Sequence, residues 1–359
     1  MRAATLADVG RAAGVSAMAA SAVLNRAQTS SRISAETRDR IFKAASRLRY
    51  RPNAAARALA NRRMNTIGVA AVIERGELNQ YFLEVFNGVL EAAANNDQNA
   101  TVFTLHNWEG DAARLNGFCD GRIDGLILVA PLLTGAFART LPEHTPFVAI
   151  HANNALPGVI NLETDEETGA YDITRHLISI GHRQILHLTG PLGMLGTERR
   201  LRGYRRALAT SGIPFDKTLV IVAGYNIHDG REVMRAWLKR SAGQPLPQAI
   251  VCANDSIAIG CLESLAEVGI KAPQEISVTG FDDTLSARTA VPQLTTVRQP
   301  LRAMGARAVD VLLGRIRHQQ GHTPDEAPKS IIFPVEIVVR DSVQKPPKTP
   351  AIVPTPSRR

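Results

Sequence analysis

Cysteine is scarce: Cys119, Cys252 and Cys261 are the only three in 359 residues. They are scattered, without metal-ligand spacing, and an odd number makes no closed disulfide framework, so buried or incidental thiols in a reducing compartment are expected. Long apolar runs are also missing. The longest, Leu126 to Val129 continued by Ala130-Pro131-Leu132-Leu133, is too short to span a bilayer and carries a proline. Met1-Arg2 runs straight into a polar, helix-like segment without an apolar h-region, so a cytoplasmic protein with no membrane partner is expected. There is no Gly-rich phosphate loop, no His/Cys/Asp cluster with metal spacing and no nucleophile elbow. These gaps count against an enzyme and leave no cofactor or metal to expect.

What is present is charge, unevenly placed. The net charge is +9, yet residues 1–63 alone carry +10 and residues 343–359 carry +4, leaving −5 for the remainder. A basic head on a mildly acidic body suits a polyanion-binding module joined to a separate domain. With 45% apolar residues the body can build an ordinary core.

The head parses into short helices. Thr5-Leu-Ala-Asp8 is an N-cap signature, Leu6, Val9 and Ala13 share a face, and Gly14 ends the helix. Ser16 caps a second helix to about Leu24, and Gly14-Val15-Ser16 is the tight connection of a helix-turn-helix. Ser34 opens a third helix whose Ile41, Ala44, Ala45 and Leu48 close a small core with Ala20, Val23 and Leu24. After Tyr50-Arg51-Pro52, Asn53 caps a short fourth helix with Leu59 as its one large apolar residue, too little to fold alone. From Asn65 the pattern changes. Apolar runs at 66–73, 100–105, 125–129, 147–150, 184–189, 219–222, 249–252 and 277–280 alternate with helical segments. That alternation predicts parallel sheets with crossover helices, arranged as two similar lobes. The tail Lys345-Pro-Pro-Lys-Thr-Pro, continuing to Arg359, is proline-dense and basic, and disorder is expected there. The domains are then 1–52 (basic helix-turn-helix head), 53–64 (short fourth helix), 65–342 (core) and 343–359 (tail).

In order and spacing, several motifs match one family. They include Thr5-Leu-Ala-Asp-Val9, Gly14-Val-Ser16, Val23-Leu-Asn25, Tyr50-Arg-Pro-Asn53, Gly181-His182 and Arg200-Leu-Arg-Gly-Tyr204. Ala253-Asn-Asp255, Gly280-Phe-Asp-Asp283, Leu294-Thr-Thr296 and Val339-Arg340 continue the series. Over roughly residues 4–342 the chain resembles the LacI/GalR family of bacterial transcriptional regulators. The resemblance implies a homodimeric repressor-like protein. Its fold would be an α N-terminal helix-turn-helix domain plus an α/β two-lobed, periplasmic-binding-protein-like core with parallel, Rossmann-like sheets. It implies double-stranded DNA with a palindromic operator as one partner and a small, carbohydrate-like effector as the other. Matching positions give a DNA-binding set of Thr5, Ser16, Ala17, Met18, Ser21, Ala22, Asn25, Arg51, Asn53, Ala56, Arg57 and Leu59. In this family paired hinge helices enter the minor groove and the leucine matching Leu59 wedges between base pairs; packing on the core is the other reading. The matching effector contacts are Tyr81, Phe82, His151, Arg200, Tyr225, Asn254 and Asp282. Their aromatic faces, arginine, amide and carboxylate suit a ring bearing hydroxyls. Tyr81 and Phe82 equally suit core positions, and Asn254-Asp255 equally suits a cap for a helix opening at Ser256. Asp165-Glu166-Glu167 reads as a helix N-terminus with favourable dipole charge.

The chain departs from the family at Ala19, Ala20 and Ala22, where Thr, Val and Arg are common, and in a longer loop after Asn25. Ala17, Met18 and Ala22 can touch thymine methyls but cannot hydrogen-bond guanine, which shifts specificity toward the hinge and DNA deformability. His151 replaces a frequent aspartate. A neutral imidazole lacks the full charge for gripping two sugar hydroxyls, pointing away from a simple neutral hexose, and titration near neutral pH is a second expectation there. The core alone would also suit a transport binding protein or an enzyme on the same scaffold; the basic head and the missing leader count against the former.

Overall fold

Thr5 sets the start of the head, as its side chain accepts from the Asp8 amide while Asp8 bonds back to the Thr5 amide, a complete capping box. In a computed structural model of the chain, the described residues are 4–25, 33–51, 63–73, 79–319 and 330–355. Helix α1 (Leu6–Ala13) ends at Gly14, whose φ of 68° is the left-handed conformation that glycine adopts without strain. Ser16 caps α2 (Ala17–Leu24), and Ser34 caps α3 (Ala35–Arg47). Val9, Ala13, Ala20, Val23, Ile41, Ala44 and Ala45 form the buried core of the head. Ala20 is fully buried, so the small residue there is filled around rather than left as a gap. Positions 53–62 of the expected hinge helix, with Asn53, Ala56, Arg57 and Leu59, lie outside the described residues, as does the loop 26–32.

The core region is α/β. All eight apolar runs become strands. Those at 125–129, 147–150, 249–252 and 277–279 are buried throughout, since side chains covered by helices on both faces need no alternation, while 99–105 and 220–222 are partly exposed edge strands. The first lobe contains β1 (Thr66–Val72), α4 (Gln80–Asn95), β2 (Asn99–Leu105), β3 (Gly125–Val129), β4 (Phe147–Ile150) and β5 (Ile160–Thr164). The second follows with α5 (Glu166–Ser179), β6 (Ile185–Thr189), α6 (Leu195–Thr210), β7 (Val220–Val222), α7 (Ile227–Arg240), β8 (Ala249–Cys252), α8 (Asp255–Glu267) and β9 (Ser277–Thr279). After β10 (Thr296–Arg298), α9 (Leu301–Gln319) and β11 (Ser330–Phe333) return to the first lobe, and β12 (Glu336–Val338) pairs antiparallel with β10. The first sheet has the order β11-β5-β4-β3-β1-β2 and the second β7-β6-β8-β9. Each lobe has its own buried core, the first including Ile67, Val69, Ile127 and Val148, the second including Leu186, Ile250, Ile257 and Val278.

Three helix pairs cover the sheets and all three cross on glycines, two of them reciprocally; in the third, a Cβ at Gly203 on α6 would stand 2.2 Å from the Glu167 carbonyl oxygen on α5. A Cβ at Gly88 on α4 would stand 1.9 Å from the Arg302 carbonyl oxygen, and one at Gly305 on α9 would stand 2.1 Å from that of Val85. Gly230 on α7 and Gly260 on α8 repeat this reciprocal contact.

The chain passes between the lobes at Thr164–Glu166, at Gln299 and after Phe333. Asp283 is gripped by Arg298 Nε at 2.7 Å and Arg340 Nη2 at 2.5 Å. Asp255 accepts from the Thr284 amide, the Thr284 hydroxyl and the Thr296 hydroxyl at 2.7, 3.0 and 2.6 Å. His182 is buried between the Leu177 carbonyl and the Ser277 hydroxyl. The motifs of Asp255, His182 and Arg340 are therefore internal bracing.

Disorder after residue 342 is not found in the described part of the tail. Residues 343–355 lie along the second lobe: Ile352 bridges Pro245, the Leu246 amide donates to the Ala351 carbonyl at 2.8 Å, and the Val353 amide donates to that of Gln244 at 2.9 Å. Val353 is buried in the lobe's core. Proline density excludes a continuous ladder but not an edge pairing through alternate amides, and of the three apolar residues between Pro350 and Pro354 the buried Val353 supplies the anchor. All three cysteines are buried and free.

Candidate ligand cleft and DNA-reading helix

The seven effector positions converge. Tyr81, Phe82, His151, Arg200, Tyr225, Asn254 and Asp282, separated by up to 201 positions in sequence, line one cavity of about 300 Å³ between the lobes. It lies at the carboxyl ends of the strands, where open α/β sheets leave a crevice.

Arg200 is the centre of its charge. Placed on α6 and 9% exposed, it donates through Nη2 to Glu166 Oε1 at 2.7 Å and through Nη1 to the Ala253 carbonyl, with its guanidinium 4.2 Å from the Phe281 ring centroid. Its Nε is buried without a protein partner. Arg199, one position earlier, donates to Glu163 at 2.8 Å and lies 3.8 Å from Glu166. Burial works against the Glu166 charge, but the neighbouring positive groups, Arg200 first among them, together outweigh it and hold the carboxyl below its ordinary range. Asp282 is raised instead, chiefly by burial, although Arg200 and a hydrogen bond from Gln299 favour its charged form. Its φ of 122° is one that L-residues rarely adopt.

His151 also has a left-handed backbone, with φ 51°, and both ring nitrogens are engaged: Nδ1 with the Tyr81 hydroxyl at 2.7 Å and Nε2 with Thr164 Oγ1 at 3.1 Å. Desolvation lowers its pKa to about 4, so titration near neutral pH is not what the structure shows. Nor does its neutrality deprive the cavity of carboxylates, since Glu163, Glu166 and Asp282 all line it. Asn254 fits both of its readings. It caps α8 through its side-chain oxygen, bonds the Tyr225 carbonyl through its nitrogen, and lines the cavity. Tyr225 is held by Thr197 at 2.5 Å. Phe82 is likewise both a core residue and part of the wall.

Sequence reasoning missed Trp108, Glu163, Glu166, Arg199 and Asn153, all in the lining. Glu166 was legible as a helix N-terminus, and Asp165 does cap α5; its second role needs Arg200, 34 residues away, to be seen beside it. Trp108 follows its own capping residue Asn107 at the end of β2, a position with no local sign of a cavity.

In the head, Ser16, Ala17 and Met18 are exposed at the start of α2, with Met18 82% exposed. Such exposure of a methionine fits a face that meets an outside surface. Ser21 and Ala22 are half-buried further along, and the Asn25 side-chain nitrogen donates to Ser21 Oγ at 3.0 Å. Thr5 spends its hydroxyl on Asp8, and Arg51 is exposed.

Comparison with known proteins agrees with both parts. Residues 5–53 match the bacterial regulatory proteins of the lacI family, and residues 174–343 match the periplasmic binding protein-like domain. The transcriptional repressor PurR of Vibrio parahaemolyticus is 30% identical over 95% of this chain and 99% of its own length. The chain belongs to the lacI family. The regulator GalR of Escherichia coli is 33% identical, with 86% of this chain and 88% of GalR covered. Among solved structures, the Lac repressor dimer bound to operator and the anti-inducer ONPF superposes with a TM-score of 0.79 at 27% identity, covering 95% of this chain and 99% of that one. As a lacI-family member the protein is a DNA-binding transcriptional regulator, and its relatives are regulators rather than enzymes. No helix among the described residues is long and apolar enough to cross a membrane.

Proposed function

We propose that this regulator is a cytoplasmic homodimeric repressor whose grip on a palindromic operator is set by a neutral, hydroxyl-rich metabolite in the inter-lobe cleft. The observation that carries the ligand class is the matching of charge in the lining. Both arginines there are already paired with carboxylates, Arg199 with Glu163 and Arg200 with Glu166. A phosphate or carboxylate ligand would bring a further negative charge beside Glu163, Glu166 and Asp282, with only the Arg200 Nε–H unpartnered among the buried side-chain donors of the lining to meet it. A sugar-like ring needs no charge and can stack on the Tyr81, Phe82 and Trp108 walls while its hydroxyls meet the polar groups.

The ligand acts through its different affinity for open and closed lobes, and lobe closure alters how the two subunits pair. That pairing determines whether the hinge helices order on DNA, with Leu59 as the minor-groove wedge and Ser16, Ser21, Asn25, Arg51 and Arg57 on phosphates. Titration with D-glucose, D-galactose, D-ribose, cellobiose, inosine and glucose 6-phosphate, followed by the fluorescence of Trp108 in the cavity wall, tests the ligand class. At least one uncharged hydroxylated probe is expected to bind and to shift operator affinity; a response to the phosphate ester alone would overturn it. Selection of bound DNA from a random pool tests the operator. Failure to enrich any palindromic duplex at physiological salt would sink the repressor reading, and an equal loss of specific and non-specific binding in Leu59→Ala would remove the wedge.

A further inference from the structure

Four hydrogen bonds join the two sides of the cleft, running through two residues, Thr164 and Gln299, that do not line it. Tyr81 meets His151 at 2.7 Å, His151 meets Thr164 at 3.1 Å, Thr164 meets Gln299 at 2.5 Å, and Gln299 meets Asp282 at 2.6 Å. Thr164 and Gln299 are both buried and sit where the chain crosses between lobes, outside the cavity wall. Tyr81 and Asp282, at the two ends, are in the wall.

The direction of every proton in this chain follows from its Asp282 end. An ionised carboxylate only accepts, so Gln299 presents its Nε2 there and turns Oε1 to Thr164. The Thr164 hydroxyl spends its single proton on Oε1, and its oxygen can then only accept from His151 Nε2. The imidazole therefore carries its proton on Nε2 and leaves Nδ1 bare, an assignment made from the network rather than from observed hydrogens. Tyr81 must donate to Nδ1, which leaves only lone pairs of its oxygen for the cavity.

We infer that Thr164 and Gln299 are positioning residues that set ligand specificity, by making Tyr81 and Asp282 acceptors at opposite ends of the cleft. This rests on the ligand-binding reading above. A ligand has to bring a hydroxyl or N–H donor to each end, and one with those hydroxyls blocked as ethers leaves buried acceptors unmet. The left-handed backbones of His151 and Asp282 show that two members are held in place against local preference.

The tautomer of His151 is the direct test. Full-length protein labelled with ¹⁵N in the histidine rings should show His151 as the Nε2–H form at neutral pH, and Thr164→Ser should keep it. Thr164→Val, with no acceptor for Nε2–H, should move the ring toward Nδ1–H. An Nδ1–H ring in the unaltered protein overturns the inference even if the valine variant does not fold, and so does an unmoved tautomer in a folded Thr164→Val. With any probe of the panel that binds, Thr164→Val should weaken affinity about tenfold, the effect of roughly 1.4 kcal/mol, while Thr164→Ser stays close to the unaltered protein. Equal affinities for all three would remove the specificity role. Absence of binding by every probe would instead count against the metabolite reading and leave the tautomer to decide the relay.

Discussion

Arg200 and Glu166 are buried together, and at the scale of single residues this pair is the most exposed to failure by substitution. Removing one charge leaves the other desolvated and unmatched, which in buried pairs costs about 3–5 kcal/mol. Arg200→Met is expected to lose that much in chemical denaturation, with Glu166→Gln added to it recovering part. A single variant as stable as the parent would show the pair to be dispensable. His151 makes a prediction of definite sign. Its folded pKa, about 4, lies below the ordinary 6.5, so its neutral form supports the fold fully above pH 6.5. That support is lost as pH falls from 6.5 toward 4, at up to about 1.4 kcal/mol per pH unit. Buried Asp255 and Asp282 have raised values and pull the opposite way, so the readable quantity is the difference between parent and His151→Gln across this window. A difference independent of pH would mean that the ring is charged in the fold. Neither effect could be read from the sequence, where His151 follows an ordinary apolar strand; its burial comes from Tyr81 and Thr164, 70 and 13 positions away.

Among elements, the strands and head helices were legible because their signals are local. Capping residues Thr5, Ser16 and Ser34 stand immediately before the helices they open, and the apolar runs of β1, β3 and β8 match their burial. Strand β5 escaped notice because its buried residues alternate with the partly exposed Asn161 and Glu163. The helix crossings were hidden for another reason, since a glycine within a helix carries no sign of what faces it. Gly88→Ala should force α4 and α9 apart and destabilise the first lobe by about 1–3 kcal/mol or more. Gly314→Ala, also on α9 but with nothing within 4 Å of the added Cβ, should be neutral or slightly stabilising through helix propensity. Comparable thermal unfolding of the two variants would refute the close-crossing account.

For the whole molecule, the tail behaves as part of the second lobe. Stopping the chain after Lys345 removes the Ile352 bridge and the buried Val353, whose side chain alone contributes about 1.5–3 kcal/mol. The truncated protein should unfold at lower temperature, and Val353→Asp should do the same while leaving the chain length unchanged. Unchanged unfolding in both would show the strap to be incidental. The expectation of disorder came from composition, which registers proline and charge but not the edge of a lobe that alternate residues can reach.

The order of motifs, the basic head and the alternation of apolar runs determined the family, the two kinds of domain and the seven residues around the cleft. Each of these depends on near neighbours in the chain or on a pattern that survives as a line of text. The pairing of Glu166 with Arg200, the spent nitrogens of His151, the docking of the tail and the proton direction from Asp282 to Tyr81 came only with the folded chain. All four depend on groups brought together from distant positions, where burial removes water and leaves each polar atom only the partners that the fold provides.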